Sequence, residues 1–250
     1  MLRPLAKLRM PPDTFERHSI MARLADPAGS VLDVGGVRGE LGLFLPGAEV
    51  TTVNLEGQPA DAHFDGTVLP FADDSFDLAV SLDVLEHIPA GDRARHFAEL
   101  VRVARDQVVV CCPLGSPEHV AAEAALSSWY ERTTGESHRY LDEHLARGLP
   151  DETELRRLAD GAGADHRILF HGDFRRANEA FRRSSLLKSR ATPVNVLAYA
   201  RLRLDPRRSL RLDPVASAWT NRAFIDIRLG PGAGPGVRRP VQGGARSGSE

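Results

Sequence analysis

Apolar residues recur along this chain in two rhythms. Short β-branched or leucine-rich runs stand at Val31–Val34, Val50–Asn54, Ala62–Phe64, Phe76–Leu82, Gln107–Cys112, Arg167–His171 and Thr220–Leu229. Runs of this length, bounded by Gly, Pro, Asp or Asn, predict strands. Between them, apolar residues three and four apart predict helices over Pro12–Leu24, Gly39–Leu45, Arg93–Arg105, Asp151–Ala162, Asp173–Arg183 and Pro193–Leu204. Asp13 or Thr14 is placed to cap the first of these. Asp151, with Glu154 three residues on, has the spacing of a capping box. Phe76–Leu82 is nearly continuous in its apolarity, as a strand buried on both faces requires. Strands alternating with helices predict an α/β protein with a mostly parallel sheet.

Composition adds limits. A length of 250 residues, 42% hydrophobic and 26% charged, is ordinary for a globular chain. No apolar run approaches the ~20 residues of a membrane span. Met1–Pro12 is basic without a sustained apolar core, so a signal peptide is not expected and a cytoplasmic location is. Cys111 and Cys112 are adjacent in a predicted strand and point to opposite faces, so the expectation is two buried thiols and no bridge. The net charge of −2 conceals an asymmetry: residues 174–222 carry twelve basic and three acidic side chains. Such a block either attracts phosphate, nucleic acid or an anionic membrane surface, or pairs with the acidic remainder. Residues 230–250 have almost nothing to bury and are expected to be a disordered tail.

The organising stretch is Val31-Leu32-Asp33-Val34-Gly35-Gly36-Val37-Arg38-Gly39, a strand, an acid and a glycine-rich turn. Glycine lets backbone turn tightly and approach a ligand, and a following helix start offers N–H donors. The spacing is not G-x-G-x-x-G, and no Tyr-x-x-x-Lys pair occurs, which argues against a nicotinamide oxidoreductase. Four further segments follow in order: Val50–Val53 with Asn54 and Glu56; Asp65 with Leu69-Pro70-Phe71; Ser75-Phe76-Asp77-Leu78; and Asp83-Val84-Leu85-Glu86-His87. Together these resemble a class I S-adenosyl-L-methionine (SAM)-dependent methyltransferase of the type 11-like kind, over roughly residues 13–173 and the strand near 222–229. One departure is that Val37 stands where that family has its middle glycine, with Gly36 one place earlier.

The resemblance implies a Rossmann-like seven-stranded, mostly parallel sheet with helices on both faces and an antiparallel last strand. It implies one methyltransferase domain over 1–229, with a substrate lid at 116–150 and a basic helical insertion at 174–218. Cofactor binding by Asp33, Gly35, Gly36, Gly39, Asn54, Glu56, Asp65 and Asp83 is implied. Asn54 has the better alignment for the ribose hydroxyls and Glu56 the better chemistry. Asp65 falls near the adenine amino group, and Arg17 on the leading helix is a candidate for the SAM carboxylate.

Ligands in such sheets sit beyond the carboxyl ends of strands, which brings Asp83, Glu86 and His87 near any chemistry. The lid stretch is rich in polar and aromatic groups, among them Trp129, Tyr130, His138, Arg139, Tyr140, Glu143 and His144. His87, His138 and His144 are therefore candidate general bases, since imidazole titrates near neutrality, or else packing groups. The activity implied is methyl transfer to a small-molecule, secondary-metabolite or cell-surface glycan acceptor at oxygen. RNA as acceptor and a non-catalytic binding protein are the alternatives. No H-E-x-x-H or paired C-x-x-C metal signature and no G-x-S-x-G nucleophile elbow is present.

Overall fold

A computed structural model describes residues 7, 10–26, 28–187 and 210–230. Its strands are β1 (Ser30–Val34), β2 (Glu49–Leu55), β3 (Ala62–Phe64), β4 (Phe76–Leu82), β5 (Ala104–Pro113), β6 (Asp165–His171) and β7 (Arg222–Arg228). They form one sheet in the order β3-β2-β1-β4-β5-β7-β6. The pairs β1–β2, β2–β3, β1–β4 and β4–β5 are parallel, while β7 runs antiparallel to both β5 and β6. The expected sheet, with its antiparallel last strand, is therefore the sheet observed.

Side-chain alternation on the central strands builds the core in two layers. Leu78, Val80 and Leu82 of β4 and Val109 and Cys111 of β5 face one way, against Ile20, Met21 and Leu24 of α1 (Pro12–Leu24). Ala79 of β4 and Val108, Val110 and Cys112 of β5 face the other. There they meet Phe97, Leu100 and Val101 of α2 (Arg93–Val103) and Leu155, Leu158 and Ala159 of α5 (Glu152–Gly161). Both cysteines are free and buried on opposite faces, as expected.

Local chemistry corrects several expected boundaries. The helix expected over Gly39–Leu45 is only a 3-10 turn at Leu41–Leu43. Gly42 within it and Pro46-Gly47 just after leave too little chain to propagate. Neither Asp13 nor Thr14 caps α1; Pro11 takes that position and Pro12 begins the helix, where its missing N–H costs nothing. Asp151 does cap α5, accepting from the Glu154 N–H at 2.7 Å. The stretch 116–150 is a helical pair, α3 (Pro117–Thr134) and α4 (Arg139–Arg147), each closed by a glycine of positive φ. Beyond β6, α6 spans Phe174–Leu187. The expected helix at Pro193–Leu204 and the tail beyond residue 230 lie outside the described residues. Among the described residues no helix is long and apolar enough to cross a membrane.

Candidate active site

Parallel pairing of β2, β1 and β4 sets their carboxyl ends side by side, and the sequence-selected residues leave from those ends. Gly35 turns the chain out of β1 at φ +80° and donates to the Val53 carbonyl at 2.8 Å. Gly36 follows with no room for a side chain: a Cβ there would lie 2.0 Å from Asp33 Oδ2. Asp33 is 2% exposed, and its Oδ2 is buried with no partner. Burial, reinforced by the nearby Glu40 charge, raises its carboxyl to about 7. At Gly39, φ +82°, a Cβ would meet nothing within 4 Å, so this edge of the turn borders open space.

Asn54 leaves β2 and ties the turn down, its amide donating to the Gly36 carbonyl at 2.9 Å while its Oδ1 accepts from the Leu55 N–H at 2.8 Å. Glu56, the alternative, is exposed beyond it. Asp65 is exposed after β3 and accepts from both the backbone and the hydroxyl of Thr67, which hold its carboxyl below its ordinary value.

Asp83 ends β4 in the left-handed region, φ +53°. Arg222, at the start of β7, grips it with Nε on Oδ1 at 3.1 Å and Nη2 on Oδ2 at 2.7 Å. Arg17 of α1 reaches the same carboxylate at 3.1 Å and Asp13 at 3.3 Å, leaving its Nε buried without a partner. Burial works to raise the Asp83 pKa, yet the two guanidiniums hold it well below the carboxylate range. Glu86 is 1% exposed and has the opposite fate: desolvation, then the Asp83 charge, push it well up, and its Oε2 has no partner.

The helical pair completes the site from above. His87 Nδ1 meets Glu143 Oε2 at 2.9 Å, and His144 Nδ1 meets the Glu123 carboxylate at 3.1 and 3.2 Å. The two rings stack obliquely, centroids 4.8 Å apart. His138 does other work. Its Nδ1 accepts from the Leu141 N–H at the start of α4, and its ring packs edge-on to Tyr130 and Phe181, both at 5.0 Å. The structure thus brings His87 and His144 together with Glu86 and leaves His138 in a capping role. Sequence reasoning did not select Glu123 or Arg222. Glu123 follows His119 by one helical turn, which is a weak signal, and Arg222 shows only as the first residue of an apolar run.

A family model described as a methyltransferase domain matches residues 32–112, the span from β1 through β5. Over this third of its length the chain is similar to a methyltransferase domain. Two curated relatives described as uncharacterized methyltransferases agree with it. One is from Mycobacterium avium (strain 104), the other from Mycolicibacterium paratuberculosis (strain ATCC BAA-968 / K-10). Each is 34% identical over 91 residues, 30% of this chain and 35% of the relative. The match thus spans about a third of the length of these relatives. Among solved structures, YcgJ from Bacillus subtilis has TM-score 0.51 at 15% identity, covering 85% of this chain and 98% of its own. The plantazolicin methyltransferase BpumL, in complex with SAH, has TM-score 0.50 at 10% identity, covering 87% and 84%. These likenesses show the fold, a Rossmann-like α/β sheet with the glycine turn at the end of its first strand.

Proposed function

We propose that this protein moves a methyl group from SAM to a hydroxyl of a small-molecule, secondary-metabolite or cell-surface glycan acceptor. The observation that carries the reading is the adjacency of two features. The glycine turn leaving β1 and the Glu86–His87–His144 group beside β4 stand at neighbouring strand ends. BpumL, of the same fold, is a neighbour solved with SAH.

The residues present fit the cofactor. Gly36 leaves a cradle that a Cβ would fill, Asp33 offers an unpartnered buried carboxylate oxygen, and Gly39 borders open space. Asp33, Gly35, Gly36, Gly39 and Asp83 would hold the methionine end, with the spare Arg17 Nε serving its carboxylate. Asn54 or Glu56 would serve the ribose and Asp65 the adenine. SAM supplies an electrophilic methyl group on a sulfonium whose departure as a thioether needs no proton.

The chain's own task is to align an acceptor oxygen, exclude water and receive a proton. Glu143 and Glu123 orient the two rings through Nδ1, which leaves each Nε2 available. Desolvation, reinforced by the His144 charge, lowers the His87 pKa, which keeps that imidazole neutral and able to accept. The helical pair α3–α4 covers this end of the sheet and supplies the apolar rim of Tyr140, edge-on to His87 at 5.4 Å.

The test is calorimetric titration with SAM and with S-adenosylhomocysteine. Micromolar binding is expected, lost on Asp33→Ala in a protein that keeps its circular dichroism. A folded wild-type chain that binds neither compound overturns the proposal.

A further inference from the structure

Three donors at the end of β4 are arranged in a way that proton transfer alone does not explain. The Glu86 carboxylate and a ring nitrogen each of His87 and His144 lie within 4.8 Å of one another. All three are buried or half-buried, and two of them carry a buried polar atom with no hydrogen-bond partner, Glu86 Oε2 and His144 Nε2. An orphaned buried polar atom costs about 1–3 kcal/mol, and two of these three neighbouring side chains carry one.

The outer surroundings give a second, independent observation. Each imidazole has its far nitrogen, Nδ1, against a carboxylate: Glu143 for His87 and Glu123 for His144. Glu123 is itself 6% exposed, and Glu143 is fixed a second time by Arg139 Nε at 2.8 Å. A carboxylate on the far nitrogen fixes the tautomer that leaves Nε2 as a lone-pair donor, the arrangement found around metal-bound imidazoles. The nearby cations do not fill the position. Arg17 and Arg222 are committed to Asp83, and Arg93 donates to Glu154 and to backbone carbonyls. Arg147 meets the His87 carbonyl, not its ring.

We propose that Glu86, His87 and His144 form a binding site for a divalent transition-metal ion, with open coordination positions toward the acceptor side. Two imidazoles and one carboxylate suit Zn²⁺, Co²⁺, Mn²⁺ or Fe²⁺ better than Mg²⁺ or Ca²⁺, whose preferred ligands are all oxygen. At metal–ligand distances of about 2.1 Å, three donors around a tetrahedral ion stand about 3.4 Å apart. Ligation therefore asks these side chains to draw in by little more than an ångström.

The site rests on its own geometry. Its role, however, rests on the methyl-transfer reading. With an ion bound, neither Nε2 is available as a base. The ion instead holds the acceptor hydroxyl and lowers its pKa, so that its proton leaves to solvent water. The oxygen–methyl bond then forms as the sulfur–methyl bond breaks, the electron pair remaining on sulfur.

The experiment uses the full chain stripped with a chelator and dialysed against Zn²⁺, with ion content per chain and calorimetric affinity as readouts. Co²⁺ is the spectroscopic probe. One ion per chain is expected, with visible Co²⁺ bands showing nitrogen ligation. His87→Ala and His144→Ala are expected to abolish both signals. Glu123→Gln and Glu143→Gln, which touch no ion, are expected to weaken binding roughly 10- to 100-fold. His63→Ala, an exposed histidine on β3, is expected to change nothing.

Circular dichroism and S-adenosylhomocysteine titration of each stripped variant confirm that the fold is retained. If His144→Ala does not fold, His144→Gln replaces it. Absence of stoichiometric binding, or binding that survives both histidine substitutions, overturns the site. Zn²⁺ binding in a chain that ignores SAM and S-adenosylhomocysteine would leave the ion site standing and remove only the cofactor reading.

Discussion

At the scale of single residues, the candidate site is governed by groups that burial has forced into unusual states. Gly36 is the sharpest case. Any side chain there must displace the Asp33 carboxylate, because the added Cβ would lie 2.0 Å from Oδ2. Gly36→Ala is expected to leave the protein folded and to weaken S-adenosylhomocysteine binding at least tenfold, read by calorimetry. An unchanged affinity would show that the turn does not border the cofactor. Two other buried histidines set a pH limit. Burial, with Arg17 adding repulsion at His18, lowers both His18 and His96 to about 4, against 6.5 in an open chain. The unfolded chain therefore takes up protons that the folded one refuses, so stability is full above about pH 6.5 and falls as pH drops toward 4. Each histidine is expected to cost about 2 kcal/mol at pH 5. Urea midpoints between pH 7 and pH 5 measure the slope, and His96→Gln should flatten it. An equal slope in that variant would remove His96 from the account.

At the scale of elements, one arginine holds several pieces in place. Arg93 opens α2 and is 1% exposed. Its Nε donates to the Leu85 and Ile88 carbonyls at 3.1 and 3.0 Å, and its Nη1 meets Glu154 of α5 at 2.8 Å. Its Nη2 reaches the carbonyls of Arg147 and Gly148 at the end of α4. Arg93→Met removes the only charge facing Glu154 in that set and strands the carbonyls. The expected loss is about 3–5 kcal/mol in denaturant unfolding. Asp151→Ala, which removes only the α5 cap, is expected to cost about 1 kcal/mol.

These elements also show what the chain reveals before it folds. Phe76–Leu82 is read at its true ends, because a buried strand must be apolar along nearly all of its length and its borders here are a serine and an acid. The pair α3–α4 is not legible. The face α3 buries carries His119, Glu123 and Leu126, so the polar groups that orient the site also erase the apolar stripe. Asp33, Gly35, Gly36 and Asp83 stand out because turn chemistry is local. The convergence of Glu86, His87 and His144 is not local, since α4 must first fold back over the turn at Leu85–His87.

At the scale of the molecule, the sheet divides the core into two layers, and adjacent thiols report on both. Cys111 lies in the layer under α1 and Cys112 in the layer under α2 and α5. Desolvation raises both thiols well above their ordinary value, so neither forms thiolate readily. Thiol reagents are expected to leave the native protein unmodified and to label both cysteines at the rate of unfolding. Mass spectrometry of partly labelled protein distinguishes the layers, and rapid native labelling would contradict the packing.

The position of β7 has a consequence for how the chain is made. The last strand lies between β5 and β6, and its first residue supplies Arg222 to Asp83 at the centre of the sheet. A chain emerging from the ribosome completes β1 through β5 long before residue 222 appears. Until then β5 is an open edge of valines and cysteines, β6 has no neighbour to join, and the desolvated Asp83 carboxylate has only Arg17 of its two counter-charges. The nascent protein thus passes through a stage that is prone to intermolecular strand pairing. Its yield in the cell depends on how quickly residues 172–228 follow β6, and slow codons in that stretch would lower it.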